Sequence, residues 1–143
     1  VLFTKDNVEV TEPKLVAMIL DTRCDNIRIE SNNGGRLFAL NVRKAVKARN
    51  EKCIVQAKPT TSNKETRILL KSGWIKKHCY FLVEGEYKKG SDYERFMKAL
   101  TSYKKEGGNK HDDAPDGLTI LAENVEFIGL CKNNRVRQVA RAR

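Results

Sequence analysis

What constrains the fold most is a change of period that recurs along the chain. Short runs with two-residue apolar alternation are followed by longer runs with apolar residues three and four apart. Val1–Lys5 and Val8–Val10 read as short strands joined at Asp6-Asn7. Thr11-Glu12-Pro13 then opens a helix with Leu15, Val16, Ile19 and Leu20 inward. Asn26–Glu30 reads as a strand with Ile27 and Ile29 on one face. The loop Ser31–Gly35 leads into a helix over Arg36–Arg49 with Phe38, Val42, Ala45 and Val46 inward. Lys52–Ala57 is a strand, and Ser62 with Glu65 forms a capping box for a helix carrying Ile68, Leu69, Trp74 and Ile75. Cys79–Val83 is a further strand. Ser91 with Glu94 caps a helix carrying Tyr93, Phe96, Met97, Leu100 and Tyr103, which Gly107-Gly108 ends. The last helix opens at His111–Asp116 and places Leu118, Leu121, Ala122, Val125 and Ile128 inward. Strands alternating with helices predict an α/β domain with a mostly parallel, helix-covered sheet.

In such sheets chemistry collects beyond the carboxyl ends of the strands and in the loops that enter helices. Two places are selected: Glu30-Ser31-Asn32, and His111-Asp112-Asp113-Ala114-Pro115-Asp116. One acid at a helix start is a cap worth about 1 kcal/mol. Three acids exceed what capping needs, and carboxylates this close raise one another's pKa unless something positive joins them. Magnesium or manganese suits such hard oxygen donors. An over-capped surface helix is the plainer reading. Glu30, at a strand end, is either solvated or a further carboxylate for the same ions.

Charge points toward a polyanion. The 143 residues hold 28 Lys and Arg against 18 Asp and Glu, a net charge of +10. Residues 132–143 contribute Lys132, Arg135, Arg137, Arg141 and Arg143 and no acid. They read as a basic, flexible tail. Lys64 and Arg67 share one helix face and are candidates for phosphate contacts, as are Lys44 and Lys47. The four cysteines at 24, 53, 79 and 131 form no Cys-x-x-Cys pair, which argues against a zinc ribbon and makes a reducing cytoplasm the expectation. There is no GxxxxGK[ST] loop, no G-x-S-x-G elbow and no apolar run of membrane-spanning length.

Together, Ile-Arg-Ile-Glu-Ser-Asn at 27–32, Asn-Lys-Glu-Thr-Arg at 63–67 and Lys-His-Asp-Asp-Ala-Pro-Asp-Gly-Leu at 110–118 carry a resemblance. The chain resembles the C-terminal nuclease domain of the large terminase subunit of tailed bacteriophages and prophages. The resemblance implies an RNase H-like mixed sheet flanked by helices over residues 1–130, with residues 131–143 as the tail. It implies a DNA endonuclease that cuts concatemeric viral DNA during genome packaging with two Mg2+ or Mn2+ ions. Glu30, Asp112, Asp113 and Asp116 match the metal-binding acids, with His111 in support. Partners implied are double-stranded DNA, the terminase small subunit and the portal, in the cytoplasm of a bacterial host, with no membrane. Such nucleases also use an Asp on a first strand. That strand is expected to lie upstream of Val1, which makes this a truncated domain. Two alternatives are a non-catalytic DNA-binding or assembly module and a Holliday-junction resolvase of the same fold.

Overall fold

A computed structural model describes residues 1–50, 52–105, 108–109 and 112–126. Five helices and a small two-stranded parallel sheet make up the described residues. They fall into two compact units. The first is Val1–Ser62 with Gly85–Phe96, and the second is Asn63–Glu84 with the described residues from Met97 onward.

The first unit is built on α1 (Val8–Asp21), β1 (Asn26–Glu30), α2 (Gly35–Lys47) and β2 (Ile54–Lys58). The strands run parallel in a register from Asn26 opposite Ile54 to Glu30 opposite Lys58. A parallel pair needs a crossover, and α2 supplies it. Val42 and Val46 of α2 are sealed from solvent against Val16 and Ile19 of α1 and Cys53 and Val55 near β2. Leu15, Leu20, Ile27, Ile29, Phe38 and Ala45 complete this core. Each fully buried valine stabilises the unit by about 1.5–3 kcal/mol through apolar area removed from water.

The predicted strand Asn26–Glu30 and the α2 stripe are borne out. The strand Val8–Val10 is corrected: these residues form the first turn of α1. Asn7 outcompetes their β-branched side chains, because its carboxamide oxygen accepts from the Val10 N–H (3.3 Å) and its carbonyl from the Thr11 N–H (2.9 Å). Pro13 therefore lies inside the helix rather than at its start. Val1–Lys5 is not a strand either. Phe3 donates its N–H to the Asp92 carboxylate (3.0 Å) and sets its ring edge-on to Phe96.

In the second unit, α3 (Lys64–His78) is capped by Asn63, one residue after the expected Ser62. Gly73 neither ends nor interrupts it. Residues 79–83 do not join the sheet. Strand propensity reflects fit to a half-buried pleated surface, and Tyr80 and Val83 remain exposed. The helix α4 (Asp92–Thr101) begins in the first unit, at Asp92–Phe96, and starts as expected, with the Ser91 hydroxyl accepting from the Glu94 N–H (3.2 Å). The Glu94 carboxylate also accepts from the Gly90 N–H (2.6 Å). The helix α5 (113–126) buries Ala114, Leu118, Thr119 and Ala122. Leu121 and Val125 are exposed, contrary to expectation, because the inward row is 115, 118, 119 and 122. Thr119 occupies that row at no polar cost, its hydroxyl donating to the Pro115 carbonyl (2.9 Å). Ile128 and residues 131–143 lie outside the described residues, and no described helix is long and apolar enough to cross a membrane.

Candidate functional site

The acids of the Asp-Asp-x-x-Asp run open α5. Asp112 precedes the helix, and its carbonyl accepts the Asp116 N–H (3.0 Å), which sets Asp116 one turn on. On α3, the residue after the Asn63 cap is Lys64. Its Nζ lies 2.8 Å from Asp112 Oδ1, 3.5 Å from Asp113 Oδ1 and 3.6 Å from Asp116 Oδ2. Three carboxylates thus gather around one ammonium. One turn along α3, Arg67 donates to Asp116 Oδ1 and lies 3.7 Å from Glu123 Oε1. A turn further, Lys71 pairs with Glu126. Residues 64, 67 and 71 share one helix face, so α3 presents a row of cations to a row of acids on α5.

Burial grades the cluster. The side chains of Asp116 and Arg67 are 8% and 7% exposed, whereas Asp113 is 74% exposed. A charge as buried as Asp116 is tolerated only when paired and hydrogen-bonded. At Lys64, burial works against the charge. The hydrogen bond to Asp112 and the fields of Asp116, Asp112 and Asp113 more than offset it, so its pKa is raised above 10.5. Tyr103 is drawn into the same field. Burial, then the Glu65 and Asp112 carboxylates, push its phenol above its ordinary value. Sequence reasoning placed Tyr103 on an apolar stripe and missed this neighbourhood, which no local pattern signals.

Four carboxylates (Asp112, Asp113, Asp116 and Glu123) lie within 3.7 Å of two cations (Lys64 and Arg67). Carboxylate oxygens are the donor type that a hard divalent cation takes. Among the described residues, however, no group of three or more His, Cys, Asp or Glu is placed to hold a metal ion. The point on which the aspartates converge is taken by the Lys64 ammonium.

Glu30 ends β1 in the first unit, opposite Lys58. Asn32 ties this strand end down: its Nδ2 donates to Glu30 Oε1 (3.1 Å) and to the Thr60 carbonyl (2.7 Å), and its Oδ1 accepts the Thr60 N–H (3.3 Å). Gly35 packs so closely on the Glu30 carbonyl that an added Cβ would stand 2.3 Å from the oxygen. The carboxylate is therefore borne on a strand end fixed by a clasp and a close backbone contact.

The aspartates predicted as a group are thus together, joined by the two cations that the sequence marked for phosphate contact. Arg67 faces carboxylates and is buried. Lys44 and Lys47 are exposed in the last turn of α2, where cations also suit the helix dipole. His111 lies outside the described residues. No protein-family model, curated protein or solved structure matches the chain.

Proposed function

We propose that the chain is a divalent-metal-dependent endonuclease domain, similar to the RNase H-like nuclease domain of phage terminase large subunits. The observation that carries this reading is the convergence of Asp112, Asp113 and Asp116 on one cationic point. A helix cap would use one of these acids and leave the others in water.

Asp112, Asp113 and Asp116 would hold Mg2+ or Mn2+, and Glu30 is assigned to the same chemistry by the resemblance. When bound, such ions supply an activated water and charge stabilisation at the departing 3′-oxygen of a phosphodiester. The chain's own residues prepare for this. Arg67 fixes the Asp116 carboxylate through a buried ion pair. Asn32 orients Glu30 by a hydrogen bond to Oε1. Asp113, the most exposed of the three aspartates, is the one open to solvent. Lys44, Lys47 and the basic residues 132–143 are proposed to contact the DNA backbone, which makes binding sequence-tolerant and steeply salt-dependent. The terminase small subunit, the portal and a bacterial cytoplasm follow from the resemblance alone.

The test is Mn2+-dependent nicking of supercoiled plasmid by the protein. Asp113→Ala and Glu30→Ala should each abolish nicking, and nicking unchanged in both removes the site assignment. A second reading, a non-catalytic DNA-binding or assembly module, is favoured by one observation: Lys64 and Arg67 already pair with the acids. It requires that Mn2+ leave the thermal midpoint unmoved, whereas a metal site raises it. A junction resolvase shares the metal chemistry and would be marked by preference for branched over linear DNA.

A further inference from the structure

Two neighbouring faces of α3 have different surroundings. One turns residues 64, 67 and 71 to the acids of α5. Beside it run Leu70, Trp74 and Lys77, spaced by four and three residues, with His78 next to Trp74. Leu70 is 75% exposed, Trp74 is half-buried, and Lys77 and His78 are exposed. The Trp74 and His78 rings are 4.9 Å apart between centroids and tilted by 38°. The imidazole thus rests against the indole and limits its rotation. Cys79 takes extended backbone (φ −104°, ψ 128°) and ends the helix. Tyr80 follows and is 94% exposed. Its backbone stands within about 7 Å of that of His78, two residues earlier.

We propose that this end of α3 binds single-stranded nucleic acid, with Tyr80 and Trp74 stacking on unpaired bases and Lys76 and Lys77 meeting phosphates. Charge selects a polyanion. From residue 66 to residue 83 the sequence holds no Asp or Glu, and Lys76, Lys77 and His78 crowd the last turn of the helix. The helix dipole also favours cations there. It gives no reason for a tyrosine ring held in water or for Leu70 beside the indole. The rings select among polyanions. Every base has a flat π-face, and a strand without a partner offers those faces to aromatic side chains. In a duplex the same faces are stacked on one another and out of reach. A groove of cations with aromatic rings set among them is the recurrent design for holding such strands without sequence preference. The surface lies wholly on α3 and the residues just after it, so it owes nothing to the acids of α5 and goes beyond the nuclease reading.

Trp74 is the one tryptophan of the chain, so its emission reports on this surface directly. The experiment titrates the 143-residue protein, in a metal chelator, with labelled oligothymidylate, oligouridylate and a blunt duplex. It follows Trp74 emission together with the anisotropy of the label. A single strand should quench Trp74 as it binds, and the duplex should not. Whichever of the two strands binds more tightly identifies the sugar. Tyr80→Ala should weaken single-strand binding at least about fivefold, the low end of one base–aromatic stack. Tyr80→Phe keeps the ring and should bind as wild type does. The double variant Lys76→Gln, Lys77→Gln should flatten the salt dependence, by about 0.7 in log–log slope for each lysine. Single-strand binding that leaves Trp74 emission unchanged overturns the proposal, because the strand then sits elsewhere. Wild-type affinity in Tyr80→Ala, or equal quenching by the duplex, removes the stacking and overturns it too. Quenching by polyglutamate and not by either strand assigns the surface to an acidic protein instead. Should Tyr80→Ala fail to fold by circular dichroism, wild-type emission and the lysine variant decide the matter. With no divalent ion present, failure here leaves the nuclease reading as it was, and failure of plasmid nicking leaves this surface as it was.

Discussion

Gly35→Ala and Gly73→Ala are one chemical change with opposite expected signs. A Cβ at Gly35 would stand 2.3 Å from the Glu30 carbonyl oxygen and 3.3 Å from its carbon, where real Cβ contacts essentially never fall below 3.0 Å. The two backbones must therefore part by at least 0.7 Å, the difference between those limits. The obstacle is the main chain at the end of β1, held where the Ser31 N–H donates to the Lys58 carbonyl (3.1 Å), and it cannot swing aside like a flexible side chain. Overpacking of this kind costs about 1–3 kcal/mol. Alanine's helix preference returns at most ~1 kcal/mol at the first residue of α2. The net expectation for Gly35→Ala is a loss of roughly 1–2 kcal/mol. Gly73 lies inside α3 with nothing within 4 Å of an added Cβ. Gly73→Ala should gain about 0.5–1 kcal/mol from reduced backbone entropy in the unfolded chain. Urea unfolding followed by far-ultraviolet circular dichroism reads both as shifts of midpoint at constant slope. A Gly35→Ala chain as stable as wild type would show that the strand end yields. The claim that Gly35 fixes the position of Glu30 would then be refuted.

Arg67→Met should destabilise by about 3–5 kcal/mol, because it strips a buried carboxylate of its guanidinium. Adding Asp116→Asn should recover much of that loss in a double-mutant cycle of urea unfolding. Asn32→Ala removes the clasp between Glu30 and Thr60 and should cost roughly 1 kcal/mol, since these hydrogen bonds are solvent-exposed. Cys53 is 1% exposed, and burial, with smaller effects of Cys24 and Asp25, raises its thiol pKa above 9.0. At mildly alkaline pH a thiol reagent should therefore label Cys24 and Cys79 well before Cys53, as mapped by peptide mass. Because the folded value is the raised one, this group's contribution to stability is complete below pH 9.0. It is lost as pH rises through the folded value, so Cys53→Ala should flatten the alkaline decline.

What could be read from the sequence was what local chemistry decides. Asn26–Glu30 alternates β-branched and polar residues, and α2 repeats its apolar residues at helical spacing, so both emerged within a residue or two of their bounds. Val8–Val10 misled because two valines suggest a strand, whereas a single Asn7 side chain supplies the hydrogen bond that starts a helix. The candidate site divides the same way. That Lys64 and Arg67 share a face follows from their spacing. What that face meets does not, because Asp112 and Asp116 are 48 and 49 residues away. A signal was nevertheless present. Cations at 64, 67 and 71 and acids at 112, 116, 123 and 126 follow the same helical row, so two complementary stripes could have been matched before any coordinates. The excess of acids in the Asp-Asp-x-x-Asp run also required some positive group, since carboxylates so close do not all stay ionised unaided. Repulsion demands a counter-charge and does not specify its bearer, so sequence reasoning supplied a metal where the fold supplies Lys64. Of the two cations, Arg67 is almost fully buried and Lys64 is partly exposed, so the fold meets the acids with one counter-charge in its interior and one at its surface.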